Sequence, residues 1–596
     1  MPVHYRSHGP EDGLHLRVLL SRRIWHCDEL RDQSVIHLQL GIESVKCAPI
    51  GQLVEENAMS GKRIFLREAT GMIREYGWLD AFALSNSTVG PIGPGLAGLA
   101  FYMGYHLIIA PNGWLPLDFF FGLLAAIPFY WTMVLLSTAM PRSGGDYVYV
   151  SRILHPALGF MNSFVFAVWS VIFIGISLPY AIFYGFAAPF YFVGMQTGNP
   201  ALLEAGLSLA SPWPAFTAGT LLNVFIFAIV VAGRRAMKFM IRLIIVLSLA
   251  GMAVMGWVMA THSQSQFIQA FNQISSQTNV TYQGLIDIAK TTGWQPPRYT
   301  IAGAVVALPI AFYTYYGSAF AQYYGGEVKN FRFTQMVATL LCMFAGFIWY
   351  VLFGILTLNL LGDDFYSALS YLGWGPGMMA GANPFPVSPG LTALANIVTV
   401  PTVQYFVGAT LTITYILWFM AFYMYVTRSM FAWSFDRVGP ELFARVSDRL
   451  HTPVIGTFAA FVFSEVFCWI FSFTTFFYTQ FNAFLGTTVV WILPSLAGLV
   501  FPYRRKDLFQ AAPPMVRRKI AGVPLVSITG AISLIVVLYA VAVMLQIPYL
   551  GPLNPSAFGF FISVFIVGLL IFYARRAYLR TKGVDIDFAF KEIPPE

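Results

Sequence analysis

Twelve apolar runs, each close to the roughly 20 residues a helix needs to cross a bilayer, leave this 596-residue chain one solvent in which to fold. They begin near Leu79, Leu117, Ala157, Trp213, Met237, Thr300, Gln335, Thr402, Pro453, Thr475, Pro524 and Ser556. In hydrocarbon every backbone N–H and C=O must find a partner within the protein, so such runs are helices. The expected fold class is an all-α polytopic membrane protein with 12 transmembrane helices. Composition agrees, since 57% hydrophobic and 10% charged residues exclude a water-soluble globular chain of this length.

The basic residues test that count independently, because Lys and Arg concentrate in cytoplasmic loops. With the N-terminus inside, 33 of the 35 fall on the cytoplasmic side, and Lys290 and Arg298 share one outer loop. None lies at mid-membrane, where a cation costs about 2.5 to 3.5 kcal/mol. The expectation is a multi-pass plasma-membrane protein with both termini cytoplasmic. The net charge of +8 is then a topological signal, with some attraction to anionic lipid, and does not point to nucleic acid. The four cysteines, Cys27, Cys47, Cys342 and Cys468, lack metal or disulfide spacing.

Two runs are interrupted by residues that do not sustain a helix. One carries Ser87-Thr88-Val89-Gly90-Pro91-Ile92-Gly93-Pro94-Gly95, the other Tyr313-Thr314-Tyr315-Tyr316-Gly317-Ser318. Broken helix at membrane depth persists only where protein buries it or it lines a cavity. A matched pair of breaks marks a substrate site between two repeats, as in secondary transporters. Gly90, Gly93 and Gly95 permit positive φ and close approach; Pro91 and Pro94 remove donors. Ser87 and Thr88, next to Val89, are placed to hydrogen-bond a carboxylate. Freed N–H groups suit an anion and freed carbonyls a cation, so a zwitterion such as an amino acid fits both.

Residues 1–60 are polar and contain no spanning stretch. They read either as a disordered tail or as untranslated sequence ahead of a start at Met59. The rest divides into a ten-helix core over 61–500, a cytoplasmic loop with helices 11 and 12 over 501–580, and a cytoplasmic tail over 581–596. The outer segments 261–299 and 362–401 are long and rich in Gly, Pro, Asn and Ser, which marks them as functional or capping elements.

Three motifs carry a family resemblance. Met140-Pro141-Arg142-Ser143-Gly144-Gly145-Asp146-Tyr147-Val148-Tyr149-Val150-Ser151-Arg152, followed by Leu158-Gly159-Phe160, resembles the Pro-Arg-Ser-Gly-Gly-x-Tyr-x-Tyr signature of the amino acid, polyamine and organocation superfamily of permeases. Gly326-Glu327-Val328-Lys329-Asn330 is similar to its Glu-Glu-Val-Lys-Asn-Pro, with Gly326 and Phe331 in place of the first Glu and the Pro. Thr427-Arg428 and Asp436-Arg437-Val438-Gly439-Pro440 resemble its Ser-Arg and Arg-Asp-Gly-x-x-Pro pattern.

The resemblance implies a five-plus-five inverted repeat with discontinuous helices 1 and 6, two appended C-terminal helices, and alternating access around the breaks. By the same resemblance Tyr315 and Gly317 fall where the family has Tyr and Gly. Tyr313 falls where some members close an aromatic over the substrate, and Tyr316 or Thr314 shapes the side-chain pocket. Some members carry a coupling lysine in the fifth span, where this chain has Ser248. The eighth span shows no hydroxyl pair in register for a sodium site, and Thr410, Thr412 and Thr414 are candidates in a shifted register.

Glu465 is the carboxylate placed well inside a span, a proton relay or a structural hydrogen-bond partner. Glu327 reads as a clamp on cytoplasmic loops, and Arg142 and Asp146 as inner-gate residues or solvated loop charges. With no acid recognised near either break, neutral or hydrophobic amino acids are the expected substrates, moved by a proton- or sodium-coupled carrier or an exchanger without further cofactor. A polyamine or organic amine transporter of the same fold is the alternative. A passive channel would need rings of charge or carbonyls about an axis. An enzyme would need a nucleophile, metal cluster or paired acids at one depth, and none is visible in the sequence.

Overall fold

In a computed structural model, the described residues are 74–89, 106–274, 280–385, 387, 391–447, 449–476, 483–547 and 555–591, with the backbone of four short strands. The strands lie in a unit of their own that runs to Leu66. They form two antiparallel hairpins, Leu16–Leu20 with Arg23–Cys27 and His37–Leu40 with Glu43–Lys46. Gly90, Pro91, Gly93, Pro94 and Gly95 of the first break, and Met59, lie outside the described residues.

From Trp78 onward the described residues are mainly helical, with one short hairpin, Lys519–Ile520 with Val523–Pro524. The principal elements are α1 Trp78–Val89, α2 Leu115–Ala139, the short α3 Asp146–Ile153, α4 Pro156–Thr197, α5 Pro212–Val231 and α6 Arg234–Thr261. They continue with α7 Ile301–Tyr313, α8 Phe331–Leu361, α9 Pro401–Phe435, α10 Val454–Phe473, α11 Phe484–Arg504, α12 Leu525–Gln546 and α13 Pro555–Thr581. Ten of these are long and apolar enough to cross a membrane, and α1, α3 and α7 are the short ones. The chain is therefore an all-α, multi-pass membrane protein.

Burial sorts the helices into layers. The apolar windows of α4 and α9 are 83% and 78% buried, against 33% for α5, α10 and α12 and 28% for α13. The first two form the centre, and the others present Leu221, Phe225, Phe463, Ile535 and Leu570 outward. Exposed apolar surface on that scale belongs against lipid. Inside, small residues let backbones meet: a Cβ on Gly122 of α2 would stand 2.6 Å from the carbonyl of Ala311 in α7.

Several boundaries differ from expectation. The sequence predicts the tenth run from Thr475; residues 477–482 there lie outside the described ones, the long apolar helix that follows is Phe484–Arg504, and Thr474 ends α10 by turning its hydroxyl back to the Ile470 carbonyl. The outer segments hold short helices, Gln264–Ile274, Tyr282–Thr291 and Asp363–Trp374, whose buried faces (Phe267, Phe271, Leu285, Phe365) cap the bundle. α4 is interrupted by a π turn over Phe183–Ala187, where Phe183 N–H reaches both the Pro179 and Tyr180 carbonyls.

Candidate functional site

α7 starts on a well-formed cap, with the Thr300 hydroxyl accepting from Gly303 N–H at 2.9 Å, and stops at Tyr313. Beyond it the helical i→i−4 ladder gives way to tighter turns: Tyr316 N–H donates to Tyr313 O at 2.8 Å, Ser318 to Tyr315 at 3.1 Å and Phe320 to Gly317 at 2.8 Å. Among the described residues, the N–H groups of Gly317 and Ala319 have no acceptor. Gly317 has φ +86°, a left-handed conformation open to glycine, and a Cβ there would fall on the Thr88 side chain at the end of α1. The end of α1 and the break in α7 are thus in direct contact.

A cavity opens beside this break. Its walls are Phe129, Tyr130 and Met133 of α2, Asp146 of α3, Phe166 of α4, Tyr316, Gly317, Ala319, Phe320 and Tyr323 of the unwound segment, and Val490, Trp491 and Pro494 of α11. Pro494 lacks the N–H that the Val490 carbonyl would accept, and α11 is loosened into a turn at Val490 and Trp491. The hollow is about 20 Å³, room for one or two water molecules. Aromatic rings fill the rest. Tyr313 and Tyr316 stack at 5.4 Å, Tyr313 meets Phe484 of α11 edge-on at 4.7 Å, and Phe166 meets Tyr316 edge-on at 5.8 Å.

The floor is polar. Asp146 accepts from Asn162 Nδ2 at 2.6 Å, and burial pushes its carboxyl up to about 6 against the opposing pull of Asn162 and Tyr323. Below it the three motifs meet. Gly144 N–H donates to Tyr323 O at 2.9 Å, and Gly326 N–H to Ser143 Oγ at 3.0 Å. Arg152 pairs with Asp436 at 2.7 Å, and Tyr147 donates to the same carboxylate at 2.8 Å. Arg428 grips Glu327 through Nε at 2.6 Å and Nη2 at 3.0 Å, with both side chains 1% exposed. The Glu327 carbonyl accepts from Glu75 and Tyr76, which fastens the segment leading into α1 to the same cluster. The cavity is closed on this side by charge pairs and bidentate hydrogen bonds.

The other residues singled out from the sequence have definite places. Ser87 and Thr88 turn their hydroxyls to the carbonyls of Leu84 and Ser85, at 2.6 and 2.8 Å, and do not line the cavity. Val89 packs on Gly346 of α8. Thr314 bonds the Ala311 carbonyl, and the Tyr315 hydroxyl points away to Phe119 O in α2 at 3.0 Å. Arg142 bonds the neighbouring Pro141 carbonyl. Ser248 of α6 is buried, with its hydroxyl unpartnered among the described residues. Glu465 lies apart, accepting from Thr220 at 2.8 Å and Asn223 at 2.7 Å. Thr410 faces Gly251 of α6, whereas Thr412 faces Gly185 of the π turn and bonds Ala181 O, so the two hydroxyls diverge.

Sequence reasoning did not anticipate Phe166, Tyr323 or Trp491, since aromatics in apolar helices look alike whichever way they face. Asp146, read from the sequence as an inner-gate residue or a solvated loop charge, stands in the cavity wall. The signal available was a run of two glycines before an acid, Gly144-Gly145-Asp146, both with positive φ, which turns the chain inward.

No curated protein matches the chain. The family model described as "Amino acid permease" matches residues 76–572, a stretch that includes α1 through the first two thirds of α13 and every group in the cavity wall. The chain belongs to the amino acid permease family.

Proposed function

We propose that the chain is a secondary active transporter that moves neutral amino acids with apolar or aromatic side chains across the plasma membrane by alternating access. In this reading the ten long helices, with α1 continued by residues 106–109 and α7 continued by its unwound segment, make twelve spans. The first ten form an inverted repeat, α12 and α13 are appended, and both termini are cytoplasmic. The observation that carries it is the unwound segment at Gly317, where Gly317 and Ala319, both with spare N–H groups, are among the residues that line an aromatic cavity. The N–H groups of Gly317 and Ala319 suit a carboxylate, and Tyr316, Phe320, Phe166 and Trp491 suit an apolar side chain. The hollow holds one or two water molecules, so a bound amino acid requires these rings to part.

Among the described residues, the threonines of α9 diverge and Ser248 is unpartnered, so no sodium site is assembled from them, which favours coupling to protons. Among the described residues the cavity wall holds no nucleophile–base pair or metal cluster, and its irregular backbone lies in individual helices rather than in a ring about an axis, which favours a carrier over an enzyme or channel. One observation supports a second reading. Asp146 in the cavity wall offers a partner to a cation, as an organic amine transporter of the same fold would need.

A thermal-shift screen of the common amino acids and of amines lacking a carboxylate separates the two, because a ligand at 100 times its Kd stabilises the folded form by about 2.7 kcal/mol. Apolar and aromatic amino acids are expected to raise the Tm. A rise with putrescine and none with any amino acid would establish the amine reading instead. No rise with either class would contradict both.

A further inference from the structure

Away from the cavity, the helical residues 106–109 carry His106, whose Nε2 lies 2.7 Å from Asp118 Oδ2 in the first turn of α2. Both side chains are 0% exposed. Among the described residues, His106 Nδ1 and Asp118 Oδ1 have no hydrogen-bond partner. Burying an imidazole and a carboxylate is costly, and most such pairs satisfy their remaining atoms as well. This one leaves a nitrogen open. With Nε2–H donating to Asp118, the open Nδ1 is the atom that can take a proton, converting a buried net charge of −1 into a neutral ion pair.

One contact joins the pair to the break, and two more tie it to the start of α7 and to α8. Phe119, next to Asp118, accepts the Tyr315 hydroxyl of the unwound segment through its carbonyl at 3.0 Å. The loop between His106 and Asp118 holds the start of α7, where Asn112 O accepts from Thr300 N–H at 2.9 Å and Gly303 lacks the Cβ that would strike the same carbonyl. The His106 ring lies 5.3 Å from that of Phe119, which stacks on Tyr350 of α8 at 4.7 Å. The titratable and charged groups on the surrounding elements are Arg298 and Tyr299 ahead of α7, Tyr315, Tyr350, and Asp363 and Asp364 at the start of helix Asp363–Trp374. Tyr299 donates to Asp363 at 2.7 Å and lies within electrostatic reach of Asp118.

We propose that His106 and Asp118 form the proton site that couples transport to the proton gradient. This rests on the carrier reading above. One proton, drawn in past Asp363 and Asp364, binds His106 Nδ1. It leaves to the opposite side when the α7 break rearranges and the Tyr315–Phe119 link shifts. His106 and Asp118 act through the break and do not touch the substrate.

The test uses the full chain in liposomes with a pH dye inside and radiolabelled L-phenylalanine as the probe. In the wild type, phenylalanine entry should acidify the lumen, and an inward proton gradient should drive accumulation. His106→Gln and Asp118→Asn should each lower gradient-driven accumulation by about ten-fold, a usual coupling factor, while counterflow at equal pH stays within about two-fold of the wild type. Accumulation retained in either variant would overturn the proposal. So would equal loss of accumulation and counterflow, the mark of a structural role. Should neither variant fold, the wild type decides: phenylalanine entry without lumen acidification overturns the assignment. Absence of counterflow in the wild type would instead sink the carrier reading, and the coupling role with it.

Discussion

Asp146 is the residue whose environment is most at odds with its chemistry. Its carboxyl is buried in the cavity wall and raised from 3.8 to about 6, so the folded chain holds a proton over a range where the unfolded chain has released it. The stability this contributes is fully present below about pH 4 and is lost as the pH rises through about 6. Asp146→Asn removes the ionisation. The variant should gain up to about 3 kcal/mol over the wild type at neutral pH, by the usual conversion of two pKa units, and little at pH 4. Thermal unfolding in detergent across this range checks it; parallel curves for the two proteins would remove Asp146 as the source. Gly317 was legible from sequence because glycine after tyrosines in an apolar run has few other uses. Asp146 was legible only as a pair of alternatives, because its motif reads equally as an inner gate and as solvated loop charge until the fold turns it inward.

Among elements, the sealed end of the bundle was legible in its parts. Each motif was visible as spacing, and Glu327 was read as a clamp, but nothing linear shows that Ser143 meets Gly326 or that Asp436 meets Arg152. Those contacts join α3, the end of the α7 segment and the end of α9 across more than a hundred residues of chain. The buried Arg428–Glu327 pair makes the energetic consequence specific. Glu327→Gln leaves a buried guanidinium without its counter-charge and should cost about 3 to 5 kcal/mol. Replacing both partners, as Arg428→Met with Glu327→Leu, should recover most of that, because two apolar groups of similar volume strand no charge. Unfolding midpoints of the single and double variants decide it, and a single variant as stable as the wild type would show that the pair holds nothing. The break at Val490 and Trp491 was hidden, since Pro494 alone reads as a kink, and the His106–Asp118 pair was hidden because each residue sits near the end of a different run.

At the scale of the molecule, periodicity and the placement of basic residues were enough to read a helical membrane protein, and the ten long helices follow ten of the expected runs. What hydropathy could not read was depth of burial. All four of α4, α9, α12 and α13 are apolar enough to span, the buried pair α4 and α9 somewhat less so (mean hydropathy 2.1 and 1.6 against 2.5), yet the first pair builds the centre and the second faces outward. The proposed carrier requires the aromatic cavity to open to one side at a time, with the charge-paired floor released only when the other end has closed. Counterflow tests this most directly. Proteoliposomes preloaded with unlabelled L-phenylalanine should take up labelled phenylalanine faster than empty ones, because a carrier returns occupied; equal uptake with and without preloading would contradict alternating access and leave a pore.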